Sequence, residues 1–157
     1  MSPTLILVMR HAEKPEDVQN PDLSPVGQER AEKLATYVPK TFGALDFIFA
    51  AAISKHSARP FETVKPRSKA IGIPIDATIA DNDYEVLAAD LLGKQRYDGK
   101  RVLVCWHHGH IPSLMQALRA KKGNYPDPWD AKVFNLILKL NYEGADVPRL
   151  TKVTEDL

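Results

Sequence analysis

One cysteine, Cys105, is present, so no internal disulfide can form and the fold has to rest on a packed core. Cys105 sits inside the apolar run "RVLVCW", a place that suits packing and a reducing compartment. No apolar run approaches the ~18 residues of a membrane span. The N-terminus lacks the basic stretch, apolar segment and small-residue cleavage site of a secretory leader. A cytoplasmic location away from the membrane is therefore expected. A surplus of one charge sign is also missing: 21 Lys and Arg face 20 Asp and Glu, for a net charge of +1. No whole-molecule field attracts nucleic acid or an anionic surface, and any preference for anions must be local. There is no Cys pair and no H-E-x-x-H, and the cluster "HHGH" at 107–110 has no companion ligands at metal-site spacing, so neither metal nor cofactor is expected. Repeats, low-complexity segments and linkers are absent as well. One domain is expected over residues 1–157.

What is present alternates in character. "TLILVM" (4–9) is a short continuous apolar run, as a strand covered on both faces requires. In "LSPVGQERAEKLATYV", Ser24 can cap, Pro25 suits the first helical position, and Val26, Leu34, Ala35 and Val38 trace an apolar stripe. "LDFIFAA" (45–51) predicts a second strand. "SARPFETVKPRSKAIG" predicts a helix that Ser57 opens, Gly72 ends and Pro66 kinks or splits. A weaker extended segment, "IPIDATI", leads to a helix in "NDYEVLAADLLG", which a capping box from Asn82 to Glu85 would start. "RVLVCW" (101–106) is a third strong strand, with a helix after it in "IPSLMQALRAKK". "KVFNLILKLNYEG" and "RLTKVTEDL" predict two final strands paired as a hairpin or edge pair. The alternation implies an α/β fold, a three-layer α/β/α sandwich around a mostly parallel sheet.

In such a sheet, ligands bind outside the carboxyl ends of the strands. Arg10 and His11 follow the first strand, Ser57 and Arg59 the second, and His107, His108 and His110 the strand "RVLVCW". Three strand ends thus deliver guanidinium and imidazole groups to one edge. Cations gathered so closely repel each other unless an anion lies among them, and guanidinium forks match the oxygens of a phosphoryl group. The crevice is expected to hold phosphate, with Lys14 adding positive charge.

The motifs themselves resemble a known family. "LVMRHAEKP" resembles the Arg-His-Gly signature of the histidine phosphatase superfamily, the phosphoglycerate mutase-like proteins, with Ala12 in place of the glycine. "DLSPVGQERAEKLA" resembles the start of the family's first helix. "SARPFETVKP" resembles its S-x-x-R-x-x-x-T segment, and "VLVCWHHG" its late strand ending in histidine. Four motifs in the family's order span residues 4–118.

The resemblance implies a phosphatase in which neutral His11 attacks phosphorus to give a phosphohistidine that water hydrolyses. Arg10, Arg59 and a histidine of the 107–108 pair would hold the equatorial oxygens. The glycine at 109 points to His108 as that ligand, with His107 turned to the opposite side of the chain as a rim residue. The family's proton donor falls in "IADNDYEVLAADL", which offers Asp81, Asp83 and Glu85; Asp83 is the expected donor, with Glu13 a further candidate. The implied partner is a phosphorylated small molecule or a phosphoprotein. A second reading is a catalytically reduced member that only binds a phosphorylated ligand.

Overall fold

The computed structural model describes residues 2–157. Within them the chain runs β1 (Leu5–Arg10), α1 (Pro25–Phe42), β2 (Phe47–Ala50), α2 (Arg59–Ile71), β3 (Ile75–Asp76), α3 (Tyr84–Gly93), β4 (Arg101–Trp106), α4 (Ile111–Ala117), β5 (Leu136–Asn141) and β6 (Arg149–Thr154). One sheet holds the strands in the order β3-β2-β4-β1-β5-β6. The first four are parallel; β5 joins β1 antiparallel, and β5 and β6 form the expected edge pair, also antiparallel.

β1 and β4 are apolar throughout because the sheet is covered on both faces. Ile6, Val8, Val102, Val104 and Trp106 point to one core, where Leu87 and Leu91 of α3 and Ile111 and Leu114 of α4 pack. Leu5, Leu7, Met9, Leu103 and Cys105 point to the other, built with Leu34 and Val38 of α1 and Val64 of α2. The period-two alternation of strand side chains thus divides one apolar run between two cores. Three layers result.

Three local expectations fail: a split at Pro66, a cap at Ser57, in whose place Ala58 is the N-cap of α2, and a capping box before α3. α2 continues across Pro66 as one helix; packing of the helix against α1 and the sheet outweighs the lost backbone donor. The capping box does not form either. A 3-10 turn at Asp81–Asp83 precedes α3, whose N-cap is Asp83 without a side-chain hydrogen bond.

The two central strands end level. Arg10 pairs with Trp106 across the β1–β4 ladder, and the His11 N–H donates to the Trp106 carbonyl at 3.2 Å. His11 and His107 therefore leave the sheet side by side.

Candidate active site

β1 ends on Arg10 and His11 follows it, each 2% exposed. The Arg10 guanidinium donates to the Ala131 carbonyl at 2.5 Å and stacks 3.9 Å over the Phe134 ring. Both partners lie in the long connection before β5. His11 Nδ1 is 2.6 Å from the carbonyl oxygen of Ala12. A carbonyl only accepts, so in the neutral ring Nδ1 carries the proton and Nε2 keeps its lone pair. Burial lowers the His11 pKa to about 3, helped by Arg10, His107 and Arg59 and opposed by the bond to Ala12. Burial also lowers Arg10, to about 10, with Arg59 adding to the shift.

The loop after His11 is held from α1. Ser24, the N-cap, accepts from the Gly27 N–H at 3.0 Å, and its own N–H donates to the Glu13 carbonyl at 3.0 Å. A Cβ on Gly27 would lie 2.3 Å from that same carbonyl oxygen, so glycine is what lets the helix sit on the loop. The Glu13 carboxylate makes a two-pronged pair with Arg30, at 2.9 and 3.0 Å, and Arg30 also reaches Glu155 at 2.8 Å.

Arg59 opens α2. Its N–H donates to the Ser57 hydroxyl at 3.2 Å, and its guanidinium to the Asn20 carbonyl at 2.9 Å. Burial lowers its pKa. One turn on, the Thr63 hydroxyl donates to the Arg59 carbonyl at 2.8 Å and accepts from the Ala12 N–H at 2.9 Å. The Nε groups of Arg10 and Arg59 are buried without a hydrogen-bond partner.

From the end of β4, His107 meets His11 edge to face, with ring centroids 5.4 Å apart. Burial lowers the pKa of His107 and, beside Arg10 and Lys14, that of His108. Arg10, His11, Arg59, His107 and His108 line one cleft of about 540 Å3, with Lys14 and His56 among its other walls. The cleft offers a lone-pair nitrogen ringed by donors, the arrangement needed to bind a phosphoryl group and attack it.

No protein-family profile matches the sequence, and no curated protein does. Solved structures do. A protein histidine phosphatase, SixA, in complex with tungstate superposes with a TM-score of 0.70 at 14% identity over 96% of either chain. A protein of Agrobacterium tumefaciens assigned as phosphohistidine phosphatase SixA gives 0.66 at 18% identity, covering 97% of this chain and 98% of its own. A mycobacterial glucosyl-3-phosphoglycerate phosphatase with inorganic phosphate gives 0.61 at 12%, covering 98% and 97%. The chain has the histidine phosphatase fold.

On that fold, the expected site residues separate into two groups. The structure brings together Arg10, His11, Lys14, Arg59, His107 and His108. The expectation that His107 turns away is corrected: the β1–β4 register sets it against His11. Gly109, the reason for preferring His108, has no positive φ, and nothing lies within 4 Å of a Cβ built on it. Among the candidate donors, Asp83 is exposed and lies outside the cleft wall, Glu85 faces a different cleft between α3 and α4, and Glu13 is engaged by Arg30. Asp81 does line the cleft, where its Oδ2 is 2.8 Å from His110 Nδ1.

Sequence reasoning missed Ala131 and Phe134, which hold Arg10. A backbone carbonyl leaves no trace in residue identity, and Phe134 sits in a segment that reads as strand.

Proposed function

We propose that this protein is a phosphatase of the histidine phosphatase superfamily that hydrolyses a phosphomonoester or phosphoramidate through a phosphohistidine on His11. The reading rests on one observation above the others: His11 is buried, with Nδ1 spent on the Ala12 carbonyl and Nε2 left free beside Arg10, Arg59 and His107. Nε2 attacks phosphorus in line while Arg10, Arg59 and His107 hold the equatorial oxygens and stabilise the charge spread over them. His108 and Lys14 line the same cleft and add donors. Water then attacks the phosphohistidine and releases phosphate. The substrate is a phosphorylated small molecule or a phosphoprotein. A cytoplasmic setting fits the lone Cys105, which is buried and whose thiol pKa is pushed up by burial.

Brief exposure to a 32P-labelled phosphoester, followed by a quench, tests the covalent step. Label should survive alkali, be lost in acid, and be absent from His11→Ala. Label of the same acid sensitivity in His11→Ala would overturn the assignment.

A further inference from the structure

The mechanism above leaves the leaving group without a proton donor, and the cleft wall holds a pair not yet used. Asp81 is the one carboxylate on that wall among the described residues. Its Oδ2 lies 2.8 Å from His110 Nδ1, while its Oδ1 is buried without a partner. A proton on Oδ1 could neither reach a leaving group nor be replaced from water, and Oδ2 is committed to His110. The carboxylate is thus placed to orient an imidazole, as in the His–Asp half of a hydrolase triad.

The pair is fixed from three sides. The Trp106 indole N–H donates to the Asp81 carbonyl at 2.9 Å. The Tyr84 ring stacks on His110 with centroids 5.4 Å apart and an interplanar angle of 29°. The His110 N–H donates to the His107 carbonyl at 3.2 Å, which ties the pair to the β4 end that carries the phosphate clamp. With Nδ1 taken by Asp81, Nε2 is the ring nitrogen left to exchange a proton with a ligand. His110, like Asp81, lines the cleft with His11.

Resting on the phosphatase reading, we infer that His110, positioned by Asp81, protonates the leaving group, and that the site is built for phosphomonoesters of unactivated alcohols. His11 Nε2 bonds to phosphorus as the P–O bond to the alcohol breaks. The alcohol oxygen takes its proton from His110 Nε2, whose imidazolium charge Asp81 balances. In the second half, water bonds to phosphorus and gives a proton to His110 Nε2, and the P–N bond breaks with its electron pair returning to His11. An alkoxide is too basic to leave unassisted, so such a donor matters most for alkyl esters and little for aryl ones.

The test compares kcat/KM for glycerol 2-phosphate and p-nitrophenyl phosphate in the wild type, His110→Ala, His110→Gln and Asp81→Ala, with far-UV circular dichroism and vanadate inhibition verifying fold and clamp. Both His110 variants should lose about 10²-fold or more on the alkyl ester and far less on the aryl one. The loss should fall in kcat, and added imidazole should restore part of it in His110→Ala. Asp81→Ala should shift the alkyl-to-aryl ratio in the same direction by less. Equal losses on the two esters in the folded His110 variants would overturn the inference, as would wild-type alkyl turnover in them alongside a dead Asp81→Ala, which would make the carboxylate the donor. In either case a His11 phosphoenzyme in the wild type leaves the phosphatase reading standing. A wild type that neither turns over nor labels on either ester overturns both.

Discussion

Thr63 joins two parts of the site through one hydroxyl, which accepts from the Ala12 N–H and donates to the Arg59 carbonyl. It is 1% exposed, so neither partner has water as a substitute. Thr63→Val keeps the shape and removes both bonds, leaving a buried N–H beside His11, the proposed nucleophile, without an acceptor. A loss of about 1–3 kcal/mol is expected in urea unfolding. Because Ala12 also holds the His11 ring through its carbonyl, kcat should fall as well. Full activity at reduced stability would mean that His11 is oriented independently of this bond.

At the scale of elements, α1 and the loop that follows β1 form one unit. The helix N-terminus approaches the Glu13 carbonyl closely enough that a Cβ at position 27 would come within 2.3 Å of backbone. Backbone cannot rotate away as a side chain can. Gly27→Ala should therefore displace either the helix or the loop, at a cost of about 1–3 kcal/mol, which corresponds to a lowering of Tm by several degrees in a chain of this size. The loop carries His11 at its start, so the displacement should also reduce turnover. An unchanged Tm would show that α1 can shift at no cost.

For the molecule as a whole, two buried groups pull stability in opposite directions with pH. His11 falls to about 3 when folded, so between its ordinary value near 6.5 and about 3 the unfolded chain binds a proton that the folded chain refuses. Stability from this group is full above pH 6.5 and is lost as pH falls across that window. Glu155 shares Arg30 with Glu13 and sits almost wholly buried at the end of β6; burial raises its pKa to about 7. Its contribution is full below its ordinary value near 4.5 and is lost as pH rises toward 7. From pH 4.5 to 6.5 the two slopes oppose each other. Glu155→Gln should leave a stability that climbs with pH over this range, by about 2–3 kcal/mol. His11→Gln should tilt the profile the other way, toward decline, with His107 and His108, also lowered by burial, keeping part of the climb. Chemical denaturation at several pH values measures both, and parallel profiles for the two variants would refute the pairing.

Sequence by itself determined the layers and the edge at which the candidate site residues gather. Unbroken apolar runs in β1 and β4 demand cover on both faces, the alternation with helices demands parallel strands, and strand ends then collect Arg10, His11, Arg59 and the 107–110 histidines at one edge. Local rules of this kind act within a few residues, and residue identity is enough to apply them. Contacts across the chain followed other causes. His107 stands against His11 because Arg10 pairs with Trp106, a register no local pattern contains. Asp81 rather than Asp83 lines the cleft because a 3-10 turn stands where a capping box would have started α3 earlier. Arg10 is held by a backbone carbonyl 121 residues away and by the Phe134 ring, and Glu13 is drawn off by Arg30 and Glu155. Only tertiary structure decided these, since each depends on which distant backbone and side-chain groups burial forces together, and a buried polar group takes whatever partner packing leaves within reach.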